Sequence, residues 1–292
     1  MGVKNYGHKP QPKFDKDYKE NELFLGIELE LECKEERSTD SLADVAERMM
    51  NKEVYCKSDS SIDYGFEMVS HPKTIAYHRN GMKWSETLEF LRKEGCTSHN
   101  TSTCGIHVHF NNEFLSPSKR IALGVFFARY GKNIVRIARR YSGFGKIVKI
   151  DKKNLKKPMQ HGRQAINFGG RTIEIRIFRG SLVRATVLAT LEFVDSIARF
   201  VKVTPVKTLV RGDAWNEYIK YVTANSTTEE KEGKSYKYRD LLPYLNLVKA
   251  VKPLKIEEDK IYFNRGKSDT ISLRHTHKRD DREVYKPKTS RR

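Results

Sequence analysis

Ionisable side chains stand at every second position in three short stretches of this 292-residue sequence. They are Glu28 and Glu30 in the first stretch, His107 and His109 in the second, and Glu174 and Arg176 in the third. Apolar residues lie between them, so each stretch has the period-two alternation of a β-strand with one apolar and one ionisable face. A shorter stretch places Glu67 in the same setting. The sequence therefore predicts four strands that each present ionisable groups on one face.

These carboxylates need partners, because glutamate is depleted in strands and like charges on one strand face repel each other. Solvent, Lys and Arg side chains, or bound cations would each offset that repulsion. Carboxylates with an imidazole suit Mg²⁺ or Mn²⁺ better than structural zinc, which favours Cys and His. Paired divalent ions clamp a transferring phosphoryl group, and a nearby arginine neutralises charge on its oxygens. If the strands lie in one sheet, their ionisable rows meet on one charged face.

Each motif has a plain structural alternative when it is taken alone. The first strand could have a solvated acidic face, hydrogen bonds could satisfy the two strand histidines, and Glu174 with Arg176 could be a structural ion pair. A zinc site is disfavoured, because Cys104, three residues before His107, has no second cysteine at a matching spacing. The joint pattern favours a site, since all the structural alternatives would have to hold at once.

The intervening segments predict the elements that hold these strands in place. Helical periodicity predicts helices over about 38–51 (capped by Asp40 or Ser41), 74–94 with a restart near Gly81, 116–141, 184–203, 213–224 and 238–251. Arg163–Gly180 predicts a β-hairpin that turns at Gly169–Gly170. Its second arm is expected to point Ile173, Ile175 and Ile177 inward and Thr172, Glu174, Arg176 and Phe178 outward.

Three segments lack such periodicity. Residues 1–20 predict a mobile basic arm, 142–164 an exposed basic loop, and 256–292 a loosely ordered basic tail. Residues 21–255 are expected to form one domain.

The charge balance is the outlying feature of the composition. Lys and Arg number 56 against 37 Asp and Glu, and the net charge of +19 favours anionic partners such as nucleotides, nucleic acid or acidic peptides. The 4 cysteines form no Cys-x-x-Cys pair, no signal peptide is recognisable, and the apolar runs are too short to cross a bilayer. These features predict reduced thiols and a cytoplasmic protein with no membrane partner.

Four blocks of sequence, in this order, resemble the putative amidoligase family. They are GIELE at Gly26–Glu30, Asp59-x-Ser61 with GFEMVSHP at Gly65–Pro72, GIHVHF at Gly105–Phe110, and RQAIN…TIEIRIFRGSL at Arg163–Leu182. The family is a carboxylate–amine ligase branch of the glutamine synthetase and glutamate–cysteine ligase superfamily. The resemblance covers Glu22 to Phe200.

The resemblance implies an α+β fold, in which a curved, mainly antiparallel β-sheet carries helices on one face and the active site on the other. Residues 21–255 would be the amidoligase-like catalytic domain. In that superfamily, ATP phosphorylates a carboxylate, and an amine then displaces phosphate from the acyl phosphate to form an amide or peptide bond. ATP and Mg²⁺ (or Mn²⁺) are thus the implied cofactors, and small-molecule or peptide carboxylates and amines the implied substrates. The family also implies a phage or bacterial origin, with the host cytoplasm as the location for a phage protein.

Site residues carry over from the family motifs position by position. The implied metal ligands are Glu28, His107 and Glu174 for one ion, and Glu30, Asp59 and Glu67 for a second. The implied catalytic residues are Arg176, Arg179 and His109, and the implied nucleotide-binding residues are His109, Lys57 and Arg176. Asp59 is shorter than the glutamate that glutamine synthetases have at this point, which sets it apart from the other ligands.

A basic nucleic-acid-binding protein or metal-dependent nuclease is the competing class. The loop Lys146–Pro158 and the tail Lys278–Arg292 would supply contacts to phosphates, although no known nucleic-acid-binding or nuclease motif is recognisable. A phosphotransferase that forms no amide and a catalytically idle protein on the same fold also stay open. ATP turnover would distinguish the ligase from the nucleic-acid and idle alternatives.

Overall fold

A computed structural model describes residues 2–99, 101–140, 165–226 and 237–246. In these residues six strands form one open sheet, in the order β2-β3-β1-β4-β6-β5, and every neighbouring pair is antiparallel. The strands are β1 (Leu25–Glu32), β2 (Val54–Lys57), β3 (Gly65–Ser70), β4 (Gly105–Asn111), β5 (Ile166–Gly169) and β6 (Thr172–Arg179). The expected mainly antiparallel sheet is confirmed.

Nine α-helices accompany the sheet within the described ranges. They are α1 (Thr39–Met49), α2 (Ile75–Asn80), α3 (Trp84–Lys93), α4 (Pro117–Arg129), α5 (Gly131–Ala138), α6 (Arg184–Val203), α7 (Val206–Arg211), α8 (Ala214–Ser226) and α9 (Leu242–Asn246). Across these same ranges, no helix combines the length and the apolar character that a membrane span needs.

The apolar rows of the strands form the core together with the helices. The odd-numbered residues of β1 from Leu25 to Leu31 are completely buried. In the register they lie opposite apolar residues of β3 and β4, such as Met68 and Val108. Helices α1, α5 and α6 contact the sheet, and their apolar residues belong to the same core cluster. Burial of these rows leaves the opposite sheet face to the ionisable residues, because strand side chains alternate between the two faces.

The pairing of β4 with β6 contains an irregularity. Val108 pairs with Ile175, whereas Ile106 pairs with Phe178. Two residues of β6 therefore stand opposite a single residue of β4, which is the arrangement of a β-bulge. Beyond such a bulge the alternation of side chains is reversed.

The bulge overturns the expectation that Phe178 points outward with Arg176. Phe178 is buried, and its ring lies 5.8 Å from that of Phe193 on α6. Arg179 consequently follows on the ionisable face, three residues after Arg176. The prediction for Phe178 was wrong, because the alternation of residues along one strand does not reveal an extra residue in its pairing with the next strand.

The helix predictions are confirmed in position and differ at the ends. The first helix is capped by Ser38, whose Oγ accepts a hydrogen bond from the N–H of Ser41 at 3.3 Å, so neither Asp40 nor Ser41 is its cap. The restart near Gly81 is confirmed as the break between α2 and α3. The helix predicted over 116–141 is divided at Tyr130 into α4 and α5.

Later elements differ in smaller ways. Helix α6 has the predicted bounds, α8 begins one residue later than predicted, and α7 was not predicted. The hairpin turns at Gly170–Arg171, because Gly169 is already paired with Thr172. The predicted basic loop 142–164 and tail 256–292 lie outside the described residues, as do the start of the hairpin motif and the end of the predicted last helix.

Residues 2–20, for which the composition predicts a mobile arm, make specific contacts at the edge of the sheet. Lys4 forms a parallel β-bridge with Lys57, at the end of β2. Farther along, the carboxylate of Asp15 accepts hydrogen bonds from the N–H and the hydroxyl of Thr74, at 2.9 and 2.5 Å. Charge and proline content could not reveal these contacts, because they depend on where the sheet edge lies.

Candidate active site

The strand register brings the ionisable rows together on one face of the sheet. The directly opposed pairs are Glu28 with His107, Glu30 with Glu67, and His109 with Glu174. Residues directly opposite each other on antiparallel strands have neighbouring side chains on the same face. The four strands that the sequence predicted to carry ionisable groups therefore contribute to one cluster.

Glu28, His107 and Glu174 form the first group of potential metal ligands. One ligand atom from each residue lies within 4.8 Å of the other two. The Nδ1 atom of His107 is 3.3 Å from Oε2 of Glu28 and 3.8 Å from Oε1 of Glu174. His107 is buried and the two glutamates are half-buried, so the group opens toward one side of the sheet.

Glu30, Glu67 and His107 form the second group, and all three side chains are buried. The Nε2 atom of His107 is 3.8 Å from Oε1 of Glu30. The other oxygen of Glu30 accepts a hydrogen bond from the N–H of Gly105 at 2.5 Å, which fixes the orientation of the carboxylate. His107 therefore joins the two groups, with one ring nitrogen facing each.

Burial of several carboxylates together has an electrostatic cost. Burial and the charge of Glu28 raise the pKa of Glu67 to about 8, although the ammonium of Lys57 lies 2.8 Å from the Glu67 carboxylate. Burial also raises the pKa of Glu30. Burial disfavours the charged form of Lys57, but the hydrogen bond and charge of Glu67 outweigh it and raise the pKa of Lys57. Lys57 thus compensates the negative charge around Glu67 only in part.

His109 partners the first group. Its Nε2 atom is 3.3 Å from Oε1 of Glu28 and 3.7 Å from Oε1 of Glu174. Burial opposes the ionised forms of both Glu28 and His109, but their mutual attraction outweighs it. The pKa of Glu28 is therefore lowered well below its usual range and that of His109 is raised. These directions favour a cationic His109 beside a carboxylate.

The arginines of β6 have different surroundings. Arg176 donates from NH1 to Oε1 of Glu174 at 2.8 Å, so its guanidinium lies inside the cluster. Arg179 is on the same face but donates from Nε to the backbone carbonyl of His99 at 2.8 Å. That hydrogen bond holds Arg179 at the margin of the cluster.

Asp59 lies outside both ligand groups, in the loop between β2 and β3. Its carboxylate accepts a hydrogen bond from the N–H of Ser61 at 2.7 Å. Its charge nevertheless reaches the cluster, where it contributes to the raised pKa of Glu30.

Two residues of the cluster were missed by sequence reasoning. Asn167 on β5 lies opposite Glu174 and donates from Nδ2 to its Oε2 at 2.9 Å. Its position in the RQAIN block, facing the ionisable arm of a hairpin, was an available sign. Arg140 approaches from the end of α5 and lies within the electrostatic reach of Glu30. Nothing in the local sequence distinguishes Arg140 from the neighbouring arginines Arg136 and Arg139.

The side chains present fit divalent ions that prefer oxygen ligands. Across the two groups, four carboxylates and one imidazole converge, and no cysteine takes part in either group. Burial and the charge of Glu28 both raise the pKa of Glu67, and a cation among these carboxylates would offset both effects. The donor set therefore suits Mg²⁺ or Mn²⁺.

Comparison with solved structures gives a distant likeness. A chain in the crystal structure of the complex between Prokaryotic Ubiquitin-like Protein Pup and its Ligase PafA matches with 10% sequence identity and a TM-score of 0.37. The match covers 78% of this chain and 62% of that chain, so this protein spans less than two thirds of the matched one. A TM-score this low does not establish a shared fold. A search of curated proteins found no significant match.

Comparison with protein families gives a direct result. The model of a family described as "Putative amidoligase enzyme" matches residues 22–138. The matched segment contains the strands that carry Glu28, Glu67 and His107, and the hairpin with Glu174 follows it in the sequence. The resemblance that the motifs indicated is thereby confirmed over residues 22–138.

Proposed function

We propose that this protein is an ATP- and divalent-metal-dependent carboxylate–amine ligase that forms an amide or peptide bond through an acyl phosphate. The observation that carries the proposal is the pair of ligand groups that share His107, with Arg176 on the same sheet face. The family match of residues 22–138 supports a ligase. The open antiparallel sheet, with helices on its apolar face, is compatible with a catalytic domain of the glutamine synthetase and glutamate–cysteine ligase type over residues 21–255.

The proposed ligase would have two metal positions, one at each ligand group. Glu28, His107 and Glu174 would hold one ion, and Glu30 with Glu67 a second, with Asp59 as a companion of the second position. Mg²⁺ or Mn²⁺ bound there would neutralise charge on phosphate oxygens and orient a triphosphate for in-line transfer.

The first reaction step would need positioning and positive charge. An oxygen of the substrate carboxylate attacks the γ-phosphorus of ATP, and the bond from this phosphorus to the bridging oxygen breaks to release ADP. Arg176 would face the transferred phosphoryl oxygens, and His109 would add positive charge close to Glu28. Lys57, at the opposite end of the cluster, would contribute to the same phosphate-binding surface. Phosphoryl transfer requires little covalent chemistry from the protein, so positioning and charge are what these side chains would supply.

The second step forms the amide. The amine nitrogen attacks the carbonyl carbon of the acyl phosphate, the carbon–oxygen bond to phosphate breaks, and phosphate takes up the proton that the amine loses. Activation is needed because a carboxylate and an amine do not condense in water by themselves. The net charge of +19 favours an acidic substrate, such as an acidic amino acid or the C-terminus of a peptide.

The test is ADP release from ATP and Mg²⁺ in the presence of pooled amino acids, small peptides and polyamines. Release that depends on a pool, and a product whose mass equals the sum of the two substrates minus water, would establish the ligase. Glu174→Ala should abolish the release, whereas Glu89→Ala, on the exposed side of α3, should leave it unchanged. Substrate-independent ADP release, or none with any pool, would contradict the proposal.

Beyond the net positive charge, no feature of the described residues favours the nucleic-acid alternative. The basic segments Lys146–Pro158 and Lys278–Arg292, on which it depends, lie outside the described residues. The family match gives it no support.

A further inference from the structure

Arg140 reaches the site from the end of helix α5, whereas the other ionisable residues of the site lie on or next to the strands. Helix α5 is followed by its C-cap residue Arg139, whose left-handed conformation (φ 58°) turns the chain back toward the sheet. The NH1 group of Arg140 then donates a hydrogen bond to the backbone carbonyl of Phe178 at 3.4 Å. This contact places the guanidinium over the bulged end of β6, where β6 lies beside β4.

The glycine of the GIHVHF block makes room for this guanidinium. A Cβ atom at Gly105 would collide with NH1 of Arg140. The N–H of the same glycine donates to the carboxylate of Glu30. The guanidinium of Arg140 therefore lies against the backbone of β4, next to the second ligand group. It occupies space that a side chain at position 105 would fill.

The charges around Arg140 are unequal. Burial of the half-buried Arg140 side chain lowers its pKa, the charge of Glu30 opposes that shift, and the charge of Arg176 adds to it. Two guanidinium groups that face one region repel each other, and an anion between them would replace that repulsion by two attractions. Arg179 lies at the margin of the cluster, where two nitrogens of its guanidinium donate to the same His99 carbonyl.

We propose that Arg140 and Arg176 together bind the terminal phosphoryl group of a nucleoside triphosphate, with Arg140 rather than Arg179 as the second guanidinium. The inference rests on the proposed ligase function. The planar fork of an arginine matches two phosphate oxygens at once, which a lysine cannot do. Arg140 lies beyond the residues that the family model matches, so its role is read from this structure alone.

The first test is the affinity for ATP, ADP and AMP with Mg²⁺, measured by calorimetry. Arg140→Ala should weaken ATP binding by about tenfold or more, as expected for loss of a charged hydrogen-bonding group, and leave AMP binding unchanged. Arg140→Lys should lose less than Arg140→Ala, because the charge is kept and only the fork is lost. Arg136 is an exposed arginine of helix α5, so Arg136→Ala is the matched control and should bind all three nucleotides as the wild type does.

The second test uses Gly105. Gly105→Ala should displace the guanidinium and weaken ATP binding, and in the Arg140→Ala background it should add little. Such non-additivity is the signature of two residues that act through one contact. Equal losses for ATP and AMP, or ATP binding by Arg140→Ala at the wild-type level, would overturn the inference. Absence of ADP release from the wild type would instead contradict the ligase, and binding of inorganic tripolyphosphate would then decide the role of Arg140.

An independent observation concerns Cys33 and Cys96. Glu32 and Thr97 exchange both of their backbone hydrogen bonds, each at 2.8 Å. The next residues, Cys33 and Cys96, therefore face each other at a non-hydrogen-bonded position, where Cα atoms are about 4.5 Å apart. That separation is within the range of disulfides. The two sulfur atoms are 2.8 Å apart, and both cysteines are free thiols in this structure.

We infer that Cys33 and Cys96 are joined in a disulfide under oxidising conditions. With hydrogen peroxide as oxidant, two thiols and one peroxide give one disulfide and two molecules of water. The hydrogen bond with Cys96 and burial raise the pKa of the Cys33 thiol, so the reaction should be faster at alkaline pH. The bond would fasten the segment that follows Cys96, in which Ser98 donates to the Glu30 carbonyl at 2.6 Å.

Peptide mapping without reduction tests this inference. After peroxide treatment, alkylation of the remaining thiols should leave Cys56 and Cys104 labelled and the other two linked. Cys56→Ser should still form the link, and Cys96→Ser should lose it. Four labelled cysteines after treatment, or a link between another pair, would overturn the inference.

Discussion

Asn167 donates a hydrogen bond from Nδ2 to Oε2 of Glu174 across the β5–β6 hairpin, at 2.9 Å. The other oxygen of Glu174 faces Arg176 and His107. One oxygen of this carboxylate therefore makes a supporting contact with Asn167, and the other belongs to the ligand group. The hydrogen bond from Asn167 fixes the orientation of this carboxylate toward a bound ion, as hydrogen-bonding partners of metal ligands commonly do.

Removal of this support should reduce turnover without removing a ligand. Asn167→Ala should lower ADP release by about 10–100-fold, as is typical when a partner of a metal ligand is lost. Asn167→Asp should be at least as harmful, because it places a second negative charge against Glu174. Steady-state kinetics measures both, and thermal unfolding checks that the fold is kept. Wild-type rates in Asn167→Ala would show that Glu174 needs no support.

Loss of a proposed ligand should have a larger effect. Glu28→Ala and Glu174→Ala should each abolish turnover. This loss of activity is larger than the roughly 10–100-fold loss expected when only a supporting partner is removed. Both should also weaken Mn²⁺ binding in calorimetry, which does not depend on activity. Lys93→Ala on the exposed end of α3 serves as the comparison. Unchanged Mn²⁺ affinity in Glu28→Ala would remove Glu28 from the ligand set.

Buried His78 should make the protein sensitive to acid. Burial lowers its pKa to about 4, and its Nε2 lies 2.8 Å from the Leu25 carbonyl. The unfolded chain takes up a proton on this histidine near pH 6.5, whereas the folded protein does so only near pH 4. The folded state is therefore most stable above pH 6.5, and it loses stability as the pH falls from 6.5 toward 4. Between pH 7 and pH 5 the loss should be about 2 kcal/mol of unfolding free energy.

Urea unfolding at these two pH values measures that loss. His78→Gln should be less stable at pH 7, since the packing of the ring is lost, but its stability should change less between pH 7 and pH 5. An identical pH dependence in the wild type and His78→Gln would mean that other groups cause the acid sensitivity.

Close backbone approach should make Gly65 intolerant of any side chain. A Cβ atom there would collide with the backbone carbonyl of Leu31, on the neighbouring strand β1, which cannot move as a flexible side chain could. Gly65→Ala should therefore destabilise the protein by about 1–3 kcal/mol, the usual cost of overpacking. Gly169→Ala, where nothing lies within 4 Å of the added atom, should change stability by about 0.5 kcal/mol or less. Equal unfolding midpoints for the two variants would contradict this reading of the β1–β3 contact.

Much of the site could be predicted from local patterns. Glu28 and Glu30 share a face of their strand because alternation is a property of one strand, independent of its neighbours. The same holds for His107 with His109 and for Glu174 with Arg176. The order of the motif blocks then indicated a family, which the match of residues 22–138 confirmed.

Other features depend on how strands pair. Phe178 is buried and Arg179 is on the ionisable face because β6 has one more residue than β4 between two paired positions. The Lys57–Glu67 ion pair requires the register of β2 with β3, which places these two residues directly opposite each other. Neither relation can be derived from the sequence of one strand.

The sequence by itself determined which residue types face together along each strand and the class of chemistry that they could perform. The tertiary structure alone decided which of them meet around His107, which arginine lies beside Glu30, and how the first twenty residues contact the sheet edge. The physical reason is the range of the interactions. Alternation and capping act within a few residues, whereas the register, the bulge and the approach of Arg140 are set by packing among segments that are distant in the chain.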